Sequence, residues 1–305
     1  MSRTADMGGV AAMLGATAVF VIGDCFMKLV AETLPPFQVL FLRGLAASAA
    51  CALLIAARRE WGAIAGAVHP RVLLRAVAET ASVLCYIVAL ARMPIADVIA
   101  ILQTAPLILI VAAAVLLREK VGPARLVLVL IGFAGALLVA QPDAAGLSAA
   151  ALLAFASALL IAARDLFGRE VPAGIPVSIT VLTTTLMVTV AAGALSNCAE
   201  SWVQPSGRHL VYLGGAGVLV TLGHAGVLLA YRLGRTAVIA PFFYSFAVWG
   251  LVAGVVVWGA LPNAPALGGI ALIVASGVMI VLANQRSAAA SAQNLRRADH
   301  AASGP

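Results

Sequence analysis

Charged residues are scarce in this chain of 305 residues. Asp, Glu, Lys and Arg together make up 10% of it and aromatic residues 6%, whereas hydrophobic residues make up 63%. An ordinary soluble domain contains about 25% charged residues and about 45–50% apolar ones. A soluble fold is excluded because its interior could not remove this much apolar surface from water.

Cysteine is also rare, and its four positions show no paired spacing. Three of them, Cys25, Cys51 and Cys85, fall inside apolar segments, where a thiol behaves as a small hydrophobic group. Neither a disulfide framework nor a zinc site is indicated. The HExxH and GxSxG motifs of hydrolytic enzymes are missing too. We therefore expect no metal, no cofactor and no catalytic residues, with an intramembrane enzyme as the alternative class.

Ten apolar segments dominate the chain, and each is close to the roughly 20 residues that a helix needs to cross a bilayer. Short connections separate them, several with a proline that ends one helix or opens the next. The segments cover residues 8–30, 36–57, 72–91, 95–117, 122–141, 147–168, 175–196, 209–231, 237–258 and 264–284. The sequence therefore predicts an all-α polytopic membrane protein of ten transmembrane helices, followed by a disordered tail at 286–305.

The basic residues predict the orientation. The net charge of +7 is spread over short loops, which indicates topology and no nucleic-acid binding. Fifteen of the nineteen Lys and Arg residues fall on one side of the predicted membrane, and only Arg92 and Arg208 fall on the other. Because short cytoplasmic loops retain basic residues, we expect both termini in the cytoplasm and the protein in the inner membrane. The fifteen are Arg3, Arg58, Arg59, Arg71, Arg75, Arg118, Lys120, Arg125, Arg164, Arg169, Arg232, Arg235, Arg286, Arg296 and Arg297.

A short internal repeat indicates duplication. Residues 93–100 are echoed by residues 233–240, at the start of the fourth span of each half. A unit of five spans places its second copy upside down, so we predict a first repeat at 1–141 and an inverted second repeat at 142–285. Inverted repeats are typical of transporters, whose substrate site lies near the midplane between the halves. The alternative is chance similarity between two Ala-rich helices.

Four segments carry a resemblance to a known family. They are residues 23–28, 34–44, 89–97 and 117–122. They resemble the drug/metabolite transporter superfamily, EamA type, and the match covers nearly the whole chain. One departure is Glu119, which has no acidic counterpart in the second half.

The resemblance implies a function and an architecture. The family's plan is a ten-helix, twofold pseudosymmetric bundle that moves metabolites. The pattern of helices 1 and 2 is most similar to the branch of riboflavin and S-adenosylmethionine carriers, and aromatic amino-acid exporters share the general plan. We expect alternating-access transport of a small polar or heteroaromatic metabolite such as riboflavin, with an amino-acid or metabolite/drug exporter as the alternative.

Charged residues inside the spans are candidates for function, since a charge in a bilayer is costly. Asp24 and Lys28 lie four residues apart on one face of helix 1, and Arg43 lies at a similar depth in helix 2. We expect these three to form a charged cluster near the outer mouth. The cluster is a structural clamp, an outer gate or a direct contact with substrate. Asp97 is more simply explained as a carboxylate at a helix N-terminus.

Six residues at mid-depth are predicted to bind substrate. An acidic residue there either pairs with Arg75 or faces a cavity alone and binds a proton or a cationic group. The histidine either contacts substrate or is hydrogen-bonded to a backbone carbonyl of its own helix. The aromatic and amide groups either hold a flat ring or pack the bundle. The six are Glu79, Tyr86, Gln103, His224, Tyr244 and Trp249.

The expected partners are a small-molecule substrate and membrane lipid. A flat ring would stack on Trp249 or Tyr244 while Gln103 and His224 contact its polar edge. An amino-acid substrate would instead need charge, provided by Glu79 and Arg43. Transport direction, proton coupling and oligomeric state stay open at this stage.

Overall fold

The computed structural model describes residues 3–116, 122–141, 147–168, 170–233 and 236–302. Five residues that entered the sequence predictions, Arg118, Glu119, Lys120, Arg169 and Arg235, lie outside them. The described residues form helices and no strand. The α-helices are α1 (Arg3–Ala31), α2 (Pro36–Arg58), α3 (Pro70–Arg92), α4 (Ile95–Leu102), α5 (Ala105–Leu116), α6 (Pro123–Ala140), α7 (Ala149–Gly168), α8 (Val177–Ala199), α9 (Gly207–Leu233), α10 (Thr236–Ile239), α11 (Ser245–Trp258) and α12 (Ala264–Ala302).

The long helices agree with the predicted spans. In the described part of the chain, nine segments are long and apolar enough to cross a membrane, and α6 adds a shorter apolar helix at Leu126–Ala140. Large hydrophobic side chains such as Leu53, Val190 and Val256 are exposed on the outside of the bundle, where they suit contact with lipid. The predicted all-α polytopic membrane fold is confirmed.

The fourth and ninth spans are each interrupted. The fourth divides into α4 and α5, with a turn at Gln103 and Thr104 just before Pro106. In the ninth, a 3-10 helix at Ala240–Tyr244 that contains Pro241 separates α10 from α11. A proline cannot donate the hydrogen bond of the preceding turn, so an α-helix is weakened there. Both breaks fall beside prolines inside predicted spans, where freed backbone carbonyls are typical of a hinge.

The last helix also differs from expectation. α12 continues to Ala302 and covers most of the stretch at 286–305 that the sequence predicts to be a disordered tail. This stretch is rich in Ala and Arg, which have high helix propensity. The amino-acid composition of 286–305 predicts disorder, whereas the helix propensity of its residues favours the helix that is observed to Ala302.

Helices of the first half pack on helices of the second. α1 lies along α9, α3 along α7, α2 along α8 and α6 along α12. At the last contact the backbones approach closely, since a Cβ atom on Gly135 would lie 2.7 Å from the carbonyl oxygen of Gly269. If the echo between residues 93 and 233 relates the halves, α3 corresponds to α9 and α1 to α7. The pairing then has the twofold pattern expected of two repeats, and the inverted repeat itself remains a proposal.

Two ends of the bundle are distinguished below. The termini face is the end at which α2, α7 and α9 finish, at Arg58, Gly168 and Leu233. The opposite face is the end at which α1 and α3 finish, at Ala31 and Arg92.

Candidate functional site

A polar stripe on α3 faces the interior of the bundle. Arg75, Glu79 and Tyr86 recur at the spacing of one helical face, whereas the other face carries exposed Leu74 and Val77. Ser82, on the same stripe, hydrogen-bonds to the backbone and hydroxyl of Ser157 in α7, with an Oγ to Oγ distance of 2.9 Å. The stripe therefore lies between the two halves of the bundle.

Glu79 forms an ion pair across this boundary. Arg164 of α7 donates from Nη1 to the Glu79 carboxylate at 2.5 Å, and it also bonds Asp165 at 2.8 Å. The side chains of Glu79 and Arg164 are 16% and 21% exposed. The pair is thus largely withdrawn from solvent, and it joins the third span to the sixth.

Arg75 contacts a different group. Its guanidinium donates to the hydroxyl of Thr184 in α8 at 3.3 Å, and it lies near enough to Glu79 for electrostatic attraction. Glu79 therefore neither bonds Arg75 directly nor stands alone in the interior, which were the two alternatives from sequence. Its direct partner is Arg164.

His224 lies on the face of α9 that is turned to the interior. Its Nδ1 donates to the carbonyl of Val220 at 2.7 Å, so Nε2 is left available for a ligand. The ring is exposed despite its depth in the helix. Phe20 of α1 meets it edge to face, with ring centroids 5.1 Å apart. The backbone hydrogen bond expected from sequence is present, and it still leaves one nitrogen free.

A cleft leads from the termini face to His224. It is narrow, with a cavity volume of about 30 Å³, and lies between α2, α8 and α9. Arg58 and Ser178 lie near its mouth, and Cys51 and Thr221 line it beside His224. Glu79 and Arg164 do not line this cleft, but they lie near enough to His224 to interact with it electrostatically.

A second polar group lies nearer the opposite face. Asp24 of α1 is 9% exposed and lies beside Arg43 of α2 and Tyr86 of α3, with which it interacts electrostatically. The Nε atom of Arg43 is buried and has no hydrogen-bond partner among the described residues, and the buried hydroxyl of Tyr86 lies close to the Asp24 carboxylate without a hydrogen bond of normal geometry to it. Asp24 and Arg43 are therefore neighbours, as the predicted cluster required, and Tyr86 joins them.

Lys28 has a different role from the one predicted. Its ammonium group donates to the carbonyls of Leu90 and Met93, each at 2.6 Å, and lies 5.8 Å from the centre of the Trp258 ring. It thereby satisfies the C-terminal end of α3. The expected grouping of Lys28 with Asp24 is wrong as a direct contact, because the free carbonyls at the end of α3 offer closer acceptors.

The other three predicted site residues hold helices together. Gln103 donates to the carbonyl of Phe243 at 3.4 Å, which bridges the breaks in the fourth and ninth spans. Trp249 donates from its indole to the carbonyl of Leu14 at 3.2 Å. Tyr244 packs so closely on α12 that a side chain at Gly277 would overlap its ring. These contacts are of the packing kind, which the sequence analysis left open for aromatic groups.

Sequence reasoning missed Arg164 and Phe20. Arg164 was counted with the basic residues of a loop, although it lies inside the predicted span 147–168. The rule that a charge within a span is functional would have singled it out. Phe20 gave no signal, since an aromatic residue in an apolar helix is ordinary.

Comparison with known proteins identifies the family. Residues 7–141 match the EamA-like transporter family. A riboflavin transporter of Rhizobium johnstonii is 32% identical over 213 residues, which cover 69% of this chain and 70% of that protein. The chain belongs to the EamA-like transporter family.

More distant similarities accompany this EamA assignment. A riboflavin transporter of Vibrio cholerae is 31% identical over 61% of this chain and 62% of its own length. A pseudopaline exporter of Pseudomonas aeruginosa is 28% identical over 44% of this chain and 46% of its own. The fold is also similar to that of one crystal structure, with a TM-score of 0.64 and 20% sequence identity. The aligned region covers 93% of this chain and 99% of the other, and at this identity the similarity supports the fold alone.

The family assignment places these contacts inside a membrane transporter. This protein is a multi-pass membrane transporter of the drug/metabolite type, surrounded by lipid and acting on a small molecule. Among the described groups that face its interior are Phe20, Asp24, Arg43, Arg75, Glu79, Tyr86, Arg164 and His224.

Proposed function

We propose that this EamA-family protein carries a small heteroaromatic metabolite, with riboflavin as the best candidate, and that it catalyses no reaction. We further propose that it lies in the inner membrane with both termini in the cytoplasm. The observation that carries the proposal is His224, an accessible imidazole with a free Nε2 deep in the bundle, set against the ring of Phe20.

The charges of the interior favour a ligand with little net charge. Asp24 lies beside Arg43 and Glu79 is paired with Arg164, so each of these carboxylates is matched by a guanidinium. A strongly charged substrate would have to replace one of these partners, which is costly in a medium of low dielectric constant. A flat, polar and uncharged ring system can instead contact the ring edges and the free donors. The two relatives named riboflavin transporters support this choice.

Alternating access fits the position of the Glu79 and Arg164 pair. The pair joins α3 to α7, and hence the two proposed repeats, on the side of the interior nearer the termini face. Transporters built from inverted repeats expose one site to each side by moving one unit against the other. We propose that this contact changes during such a movement, with substrate bound between it and the Asp24, Arg43 and Tyr86 group.

A charged amino-acid-like substrate is the second candidate. Arg75 favours it, since its guanidinium contacts a hydroxyl rather than a carboxylate and so can attract an anionic group. The similarity to a pseudopaline exporter points the same way. Under this alternative, Glu79 and Arg43 would hold the two charges of the substrate.

Transport by the purified protein in proteoliposomes tests the proposal. We expect saturable uptake of riboflavin that excess unlabelled riboflavin suppresses and that a panel of amino acids does not. Empty liposomes serve as the control. Saturable flux of an amino acid without flux of riboflavin would replace the first candidate by the second.

A further inference from the structure

Asp24, Arg43 and Tyr86 present three hydrogen-bonding groups from three different helices to one point of the interior. They come from α1, α2 and α3, and they lie on the interior faces of these helices. Asp24 lies near enough to Arg43 for electrostatic attraction and within reach of the Tyr86 hydroxyl. Three groups of different chemistry that converge in an apolar bundle are typical of a site that orients a ligand.

Two of these groups are incompletely satisfied. The Nε atom of Arg43 is buried without a hydrogen-bond partner among the described residues, and the buried hydroxyl of Tyr86 lies close to the Asp24 carboxylate without a hydrogen bond of normal geometry to it. A buried donor that makes no hydrogen bond costs about 1–3 kcal/mol of stability. Native structures therefore rarely keep such donors unless a ligand or a water molecule accepts from them. Neighbouring polar pairs in this bundle do find partners, for example Ser82 with Ser157 and Thr17 with Ser245.

The donors and acceptor of the group suit a ligand edge of complementary chemistry. Arg43 can only donate, an ionised Asp24 can only accept, and the hydroxyl of Tyr86 can donate. A complementary edge presents an acceptor, a donor and another acceptor in one plane. That is the pattern of a cyclic imide, in which two carbonyl groups flank one N–H.

We propose that Asp24, Arg43 and Tyr86 form the specificity site of the transporter and bind the imide edge of a flat heterocycle. The imide N–H donates to Asp24, and the flanking carbonyls accept from Arg43 and Tyr86. This inference rests on the proposed function, since riboflavin carries an imide edge of this kind, and it assigns the end of the ring that enters the site first. His224 and Phe20 then contact the remainder of the ring system on the side of the termini face.

Methylation of the imide nitrogen isolates the central contact. Binding of riboflavin and of 3-methylriboflavin to the purified full-length protein is measured by quenching of flavin fluorescence, and uptake of both is measured in proteoliposomes. We expect the methylated flavin to bind at least tenfold more weakly, because a site built to hydrogen-bond a ligand group rejects the analogue that lacks it. Equal affinity for the two flavins would overturn the inference and leave riboflavin transport standing.

Two matched pairs of variants locate the effect. Asp24→Asn should reduce the penalty of methylation to less than threefold, whereas Asp97→Asn, which alters another intramembrane carboxylate, should retain the full penalty. Tyr86→Phe should weaken riboflavin binding five- to tenfold, whereas Tyr244→Phe should leave it unchanged. Thermal unfolding shows whether each variant is folded. Identical behaviour of Tyr86→Phe and Tyr244→Phe in the folded state would contradict the assignment.

A simpler ligand separates this inference from the identity of the substrate. If neither flavin binds, the proposal for riboflavin fails, and the comparison is repeated with uracil and 3-methyluracil, which carry the imide edge alone. Tighter binding of uracil than of 3-methyluracil, lost in Asp24→Asn, would support the imide site. Equal or absent binding of the two pyrimidines would reject it.

Discussion

Arg164 and Glu79 are joined by an ion pair of 2.5 Å although they belong to different halves of the chain. Each side chain is about one-fifth exposed or less, so neither charge is fully solvated without the other. The pair is thus both a tie between α3 and α7 and the main charged feature of the interior near His224.

Removing one member of this pair should destabilise the protein. We expect Arg164→Gln to lower the free energy of unfolding by about 3 kcal/mol, because Glu79 is left buried without its direct partner. Glu79→Gln should lower it by less, because Arg164 keeps its pair with Asp165. The double variant should lose less than the sum. Arg71→Gln is the matched control, since its pair with Glu170 is about half exposed and should contribute less than about 1 kcal/mol. Additive losses in thermal unfolding would show that Glu79 and Arg164 do not interact.

Lys28 should stabilise the protein through its hydrogen bonds at the end of α3, independently of Asp24. Lys28→Met removes two hydrogen bonds of 2.6 Å to the carbonyls of Leu90 and Met93. We expect a loss of about 2–3 kcal/mol in stability, since hydrogen bonds from a charged donor are the stronger kind. Combining it with Asp24→Asn should give additive losses within about 0.5 kcal/mol. A large coupling between the two would restore the cluster predicted from sequence.

Substitution of Trp249 should lower stability without slowing transport, and substitution of His224 should slow transport without lowering stability. Trp249→Phe keeps a ring but loses the hydrogen bond to Leu14, so we expect a fall in the melting temperature and a normal rate per folded molecule. His224→Ala should do the reverse, with normal membrane levels and at least tenfold slower transport. His209→Ala, at an exposed histidine contact with Thr33, is the control. Normal transport by His224→Ala would remove the histidine from the site.

A native thiol can test the orientation. Cys198 is free and exposed near the opposite face, at the end of α8. We expect a membrane-impermeant maleimide to label it in intact cells, and Cys198→Ser to abolish that labelling. A thiol introduced by Arg59→Cys in the Cys198→Ser protein should react only after the cells are opened. Labelling of Arg59→Cys in intact cells would place the termini outside the cytoplasm.

The architecture could be predicted from sequence because it depends on local properties. Apolar runs of membrane-spanning length and proline punctuation place helices such as α2, α3 and α8 within a few residues of their observed ends. The interruption at Gln103 is indicated by Pro106, which frees backbone carbonyls, and not by hydropathy, which is insensitive to a broken turn inside an apolar run. The helix that continues to Ala302 was missed, because composition and helix propensity point in opposite directions there.

The site was predicted less completely because it depends on which helices are neighbours. Hydropathy and spacing place Glu79 and His224 on interior faces, but they cannot show that Arg164 reaches Glu79 across the bundle. In the same way, depth alone suggested that Tyr244 and Trp249 could hold a ring, whereas their contacts with α12 and α1 are set by tertiary packing. Contacts between side chains that are distant in sequence depend on how the helices pack, and the hydrophobic pattern of each helix does not determine them.

The initial rate of riboflavin uptake by His224→Ala, Tyr86→Phe and wild-type proteoliposomes, normalised to folded protein, tests the central claim most directly. If the interior between His224 and Tyr86 is the transport site, both variants should fold normally and transport at least fivefold more slowly than the wild type. Wild-type rates in both variants would contradict the site and the route through the bundle that it defines.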